Sequence, residues 1–277
     1  MLRRFYVPFR KAIWLAGYRS RIYTAHGIIT LKKFVDYLEK PIIIEAYGDS
    51  TTEGAIFDGT FVGVFPSSSE PWQLNELLTG HYGIKSIVPN YGVSGAQAID
   101  LIRGTCGFQG SWKSKMAESK AKIVLINFAH NDYMFRERPE EGRHITELAE
   151  FESYMETLCR VAIEHGKTPI LQEPNPDRPW GNSSPLVPYV EAIHAAASRT
   201  GAQVIHQFYR LQKFEGWPNM LSDTVHPGPE MYRLKAEETA AVVAATIKAM
   251  PQGKLSRLGL YVLRRVRSAL AWIHPDK

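Results

Sequence analysis

Between residues 41 and 250 short apolar runs alternate with segments of helical period, and few architectures accept that alternation. Residues 41–47, 84–88, 123–128, 169–172 and 202–205 are each about one strand long and rich in Ile or Val. Helical spacing of apolar positions covers residues 72–81, 96–103, 145–165, 189–198 and 230–250. Strand, helix, strand in repetition calls for parallel strands joined by crossovers, with helices on both faces. An α/β fold follows, three-layered, with its ligand site beyond the carboxyl ends of the strands.

The polar residues fall at those ends. Gly48-Asp49-Ser50 follows the first strand, Asn90-Tyr-Gly-Val-Ser-Gly95 the second and Ala129-His-Asn-Asp132 the third, while Asp223-Thr-Val-His226 precedes the last helix. Ser50-Thr51-Thr52-Glu53 also fits a capping box, which makes Ser50 the expected N-cap of a helix. A serine becomes a nucleophile only beside a base. Of the nine histidines, His226 is the one with an aspartate three residues earlier in a turn ahead of a helix, so Asp223 is placed to orient its ring. The oxyanion formed on attack needs fixed donors. Candidates are the backbone N–H of Ser50, helped by a helix N-terminus, the N–H of Gly95 and the amide of Asn131.

In that order the four blocks resemble the SGNH, or GDSL-like, hydrolase superfamily over roughly residues 41–250. The resemblance implies an α/β/α fold of flavodoxin type with a five-stranded parallel sheet, and hydrolysis of esters or thioesters through an acyl-serine. By matching position it makes Ser50 the nucleophile, His226 the base, Asp223 its partner, and Ser50, Gly95 and Asn131 the oxyanion hole. Asp49, His130 and Trp180 are expected at the substrate. Two positions depart from the pattern: Thr51 stands for the usual leucine, and Ala129 for a glycine, which matters if that residue requires positive φ.

Rival readings are weaker. Gly92-Val-Ser-Gly-Ala96 is one residue short of a G-x-S-x-G elbow, which would make Ser94 the nucleophile. Neither an H-E-x-x-H motif nor a clustered His/Asp pattern supports a catalytic metal, and no cofactor is expected. O-acyl transfer, thioester hydrolysis and a non-catalytic binding protein on the same fold are the alternatives. Cys106 and Cys159 read as two free thiols.

Charge divides the chain into three. Residues 1–35 hold eight Lys/Arg and no acid, and residues 251–277 hold six against Asp276; since the whole chain is +5, residues 36–250 carry a net −8. Residues 1–40 therefore read as a basic, aromatic extension with Phe5, Tyr6, Phe9, Trp14, Tyr18 and Tyr23, residues 41–250 as the hydrolase domain, and residues 251–277 as a cationic amphipathic helix. Besides an ester substrate, the expected partner of these ends is an anionic membrane surface or a phosphorylated glycan; no nucleic acid is expected. Residues 12–18 are too short for a signal-peptide core, so no classical signal is expected, and the location expected is cytoplasmic or peripheral to a membrane.

Overall fold

The computed structural model describes residues 40–178 and 184–250. Trp180 and both basic ends lie outside the described residues, as do the surface contacts expected of them.

One parallel sheet organises the domain. Its strands are β1 (Ile42–Gly48), β4 (Ser86–Ile87), β5 (Asn90–Gly92), β6 (Ile123–Asn127), β7 (Thr168–Gln172) and β8 (Gln203–Ile205). The spatial order is β4-β1-β6-β7-β8, with β5 also on β1. β4 and β5 occupy one strand position in succession: Ile43 pairs Ile87, and Ala46 pairs Asn90. Pro89 interrupts them because it lacks an N–H, although its carbonyl still accepts from Ala46 N at 3.0 Å. The five expected strand positions are present, one of them split. Asn90–Gly92, expected to be loop, is strand.

Every residue of β6 is buried, and successive side chains go to opposite cores. Val124 and Ile126 pack with Phe151, Met155 and Leu158 of α6 (Leu148–Glu164) and Tyr189 and Ile193 of α7 (Val187–Thr200). Ile123 and Leu125 face Leu74 and Leu78 of α2 (Glu70–Gly80) and Val243 and Ala244 of α9 (Pro229–Ala249). Coverage on both faces explains why the strand sequences are continuously apolar. Short elements fill the connections: α1 (Ser50–Glu53), an antiparallel hairpin of β2 (Ala55–Phe57) and β3 (Val62–Val64), α3 (Ala98–Arg103), α4 (Trp112–Glu118), α5 (His130–Glu137) and α8 (Phe208–Leu211). Among the described residues no helix is long and apolar enough to cross a membrane.

Candidate active site

The sheet register sets three loops level. Gly48 pairs with Gly92 on one side and Asn127 on the other, so β1, β5 and β6 end on one rung. Ser50, Gly95 and Asn131 follow within a few residues, at the point where the strand order reverses direction. Gly92 has to be glycine, since a Cβ there would meet Glu53 N at 2.2 Å.

Ser50 is not the cap of its helix. Asp49 is the N-cap: its Oδ1 accepts from Thr51 N and Thr51 Oγ1, each at 2.8 Å. Ser50 is thereby the first helical residue, and its hydroxyl is free for another partner. With only four residues in α1, the helix dipole expected at this point is small, and what Ser50 offers an anion is its first-turn N–H. Glu53, the other half of the expected capping box, instead holds the loop after β5: Oε2 accepts from Ser94 N at 2.8 Å and from Ser94 Oγ. The rival serine is therefore paired to a carboxylate.

Ser50 Oγ lies 3.0 Å from His226 Nε2, and His226 Nδ1 lies 2.6 Å from Asp223 Oδ2. The Asp223 Oδ1 accepts from the N–H groups of Val225 (2.7 Å) and His226 (2.6 Å). Burial pushes the Asp223 carboxyl up, but the His226 side chain and these two N–H groups outweigh it and hold it at about 2. Asp223 is thus an anion at neutral pH, able to fix Nδ1–H and leave Nε2 facing the serine.

The loop carrying this pair is clamped by residues that the sequence did not single out. Arg178 Nε donates to the Asp223 carbonyl at 3.1 Å, and its Nη2 reaches the Leu221 carbonyl at 3.3 Å. Asn175 Nδ2 donates to the Val225 carbonyl at 2.8 Å, and Ser222 Oγ accepts from Phe57 N of β2 at 3.0 Å. No motif signals such clamps, because their partners are backbone atoms.

Gly95 has φ 76°, a left-handed conformation suited to glycine, and Arg143 Nη1 donates to its carbonyl at 3.1 Å. Asn131 Nδ2 donates to the carbonyl of the following residue, Ala96, at 3.0 Å. One amide hydrogen of Asn131 is thus used to hold the Gly95 turn, out of the two that the amide carries. Ala129, the departure from the family pattern, has φ 162°, which is extended backbone open to alanine.

Two residues expected at the substrate are turned inward. Asp49 is buried by its capping role, and burial raises its carboxyl. His130 is buried as the first residue of α5, and burial, with Lys235 and His226 nearby, lowers its ring to about 3, which keeps it neutral. Beneath them Glu70 and Lys235 form a buried ion pair at 3.5 Å. Glu70 Oε1 accepts from Gln172 Nε2 (2.6 Å), Gln207 Nε2 (3.1 Å) and Thr239 Oγ1 (2.5 Å), so α2, β7, the N-cap of α8 and α9 are tied together.

Asp132 is fully buried and accepts from Ala98 N at 3.1 Å. Burial pushes its carboxyl up to about 8, with Asp49 adding to the rise against the Ala98 N–H. The folded state therefore keeps a proton that the unfolded chain, near ~4, gives up. Stability from this group is full below about pH 4 and is lost as pH rises through about 8. Asp132→Asn is expected to reduce the fall in urea midpoint between pH 5 and 8. Glu238, pushed up to about 7 chiefly by burial, contributes with the same sign and stays in the variant. An unchanged fall would assign none of the pH dependence to Asp132.

The sequence profile of the GDSL-like lipase/acylhydrolase family matches residues 46–234. No curated protein sequence matches this one. Among solved structures, the chain is similar to LAE5, an alpha/beta hydrolase enzyme from the metagenome of Lake Arreo, Spain, with 21% identity, TM-score 0.57 and coverage of 75% of this chain and 97% of that one. Axe2, an acetylxylan esterase from Geobacillus stearothermophilus, matches at 20% identity and TM-score 0.58 over 74% of this chain and 94% of its own. A lipase/acylhydrolase from Enterococcus faecalis matches at 19% and 0.56 over 74% and 96%. At these identities the likeness speaks for the fold.

Proposed function

Because the chain belongs to the GDSL-like lipase/acylhydrolase family, whose members hydrolyse esters, we propose that it cleaves carboxylic esters at Ser50 through an acyl-serine intermediate. The observation that carries this reading is the Ser50 Oγ contact with His226 Nε2 at 3.0 Å, backed by Asp223. His226 takes the Ser50 proton as Oγ bonds to the carbonyl carbon, and the carbonyl oxygen becomes an anion facing Ser50 N–H, Gly95 N–H and the Asn131 amide. Collapse breaks the ester bond, and His226 gives the proton to the departing alcohol. Water, deprotonated by His226, then attacks the acyl-serine, releasing the acid and returning the proton to Ser50.

The substrate class we propose is an O-acetylated glycan. Trp72 is 48% exposed on α2 and lines a groove of about 300 Å³ with Pro66, Ile87, Pro89 and Asn90. Asn90 Nδ2 also donates to the Thr52 carbonyl at 2.9 Å, which ties that groove to α1, the helix Ser50 begins, although neither Ser50 nor His226 lines it. An exposed indole of this kind suits the face of a sugar ring better than a mobile acyl chain. Aryl esters from acetate to decanoate test the acyl side: kcat/KM is expected to be highest for acetate, and a maximum at octanoate or longer would replace the glycan with a lipid ester.

A further inference from the structure

Away from Ser50, three side chains converge where β7, α7 and the turn between β8 and α8 meet. Glu173 directly follows β7, His194 lies on α7 and His206 directly follows β8. The Glu173 side chain is only 1% exposed, yet His194 Nε2 reaches its Oε1 at 2.6 Å and His206 Nδ1 reaches the same atom at 3.0 Å. Its other oxygen accepts from Phe208 N at 2.8 Å. The three candidate ligand atoms lie within 4.8 Å of one another, and the two imidazoles meet edge to face with centroids 5.1 Å apart.

We propose that Glu173, His194 and His206 form a binding site for a divalent transition-metal ion of zinc type, completed by water on the open side. Two imidazole nitrogens and one carboxylate oxygen match zinc, whereas Mg²⁺ and Ca²⁺ prefer oxygen throughout. Tetrahedral bonds of ~2.1 Å separate ligand atoms by roughly 3.4 Å, so His194 Nε2, now 2.6 Å from Oε1, needs to move outward by about 0.8 Å and His206 Nδ1, now 3.0 Å away, by about 0.4 Å. They have that freedom, because the His194 and His206 side chains are 42% and 67% exposed. The carboxylate is by contrast fixed: the Phe208 N–H holds its second oxygen, the outer contact that orients a ligating carboxylate.

The cluster shares no residue with the Ser50 site. It joins three consecutive parts of the fold, so occupancy is expected to register in stability.

The test is calorimetric titration of Zn²⁺ into the tag-free full-length protein after chelator treatment. One ion per chain is expected, with Mg²⁺ giving no comparable heat. His194→Ala and His206→Ala should each weaken binding by at least about tenfold, the loss of a direct ligand exceeding that of an outer contact. His226→Ala should keep full stoichiometry, which separates this site from the histidine beside Ser50. Thermal unfolding supplies the second readout: Zn²⁺ should raise Tm in the wild type and in His226→Ala but not in the His194→Ala/His206→Ala double variant. Wild-type protein that binds no Zn²⁺, or a double variant that binds it unchanged, overturns the proposal and leaves Glu173 as a hydrogen-bonded carboxylate alone.

Discussion

Ser50→Ala is expected to lower kcat on a short aryl acetate by about a million-fold while leaving circular dichroism and urea midpoint near wild type. The size follows from what the substitution removes. Without Oγ there is no acyl-serine, and His226 has nothing to deprotonate except water; what survives is binding and the donors around the oxyanion. The fold should tolerate the change, because the N-cap of α1 is Asp49 and its contacts to Thr51 do not involve Ser50 Oγ. Ser94→Ala is the control, since Ser94 Oγ is held by Glu53 and has no histidine partner among the described residues. A loss confined to Ser94→Ala would mean that the acyl group is carried elsewhere.

Asp223→Asn is the second large effect, about ten-thousand-fold in kcat. The Asp223 carboxylate, held at about 2, accepts from Nδ1 of His226 and so keeps Nε2 unprotonated toward Ser50. An asparagine can turn its NH2 toward Nδ1, which favours the tautomer carrying the proton on Nε2, where a base cannot act. The loop should keep its shape in this variant, because Arg178 and Asn175 hold the carbonyls of residues 221, 223 and 225 rather than the Asp223 side chain. Activity within tenfold of wild type at neutral pH would remove Asp223 from the mechanism.

The sheet and the four polar loops were legible because parallel strands buried on both faces must read as continuous apolar runs, as β6 does from Ile123 to Asn127. Spacing then put Ser50, Gly95 and Asn131 beyond strand ends. Other features had no signature. The hairpin of β2 and β3 has three residues per strand, too short to display a period. The α5 helix begins with His130-Asn131-Asp132, polar residues buried by the site, so its sequence reads as loop. The capping box misplaced the helix start by one residue because Asp49 and Ser50 are both good caps, and Thr51 supplies both an N–H and a hydroxyl to Asp49. The convergence of Glu173, His194 and His206 joins residues from three elements and leaves no sequence motif.

The outer edge made by β4 and β5 has a consequence for solubility. Among the described residues these two short strands form one outer edge of the sheet, with Ile87 and Tyr91 exposed on it. A long regular edge with apolar side chains is a template on which another chain can add a strand and begin an aggregate. Pro89 does not cut that outward row, because its carbonyl accepts from Ala46 N and the N–H it lacks therefore faces β1. The outward N–H of Gly92 is instead taken by Asn90 Oδ1 at 2.9 Å, so the side chain that also holds the Thr52 carbonyl leaves an incoming strand one donor fewer to pair with.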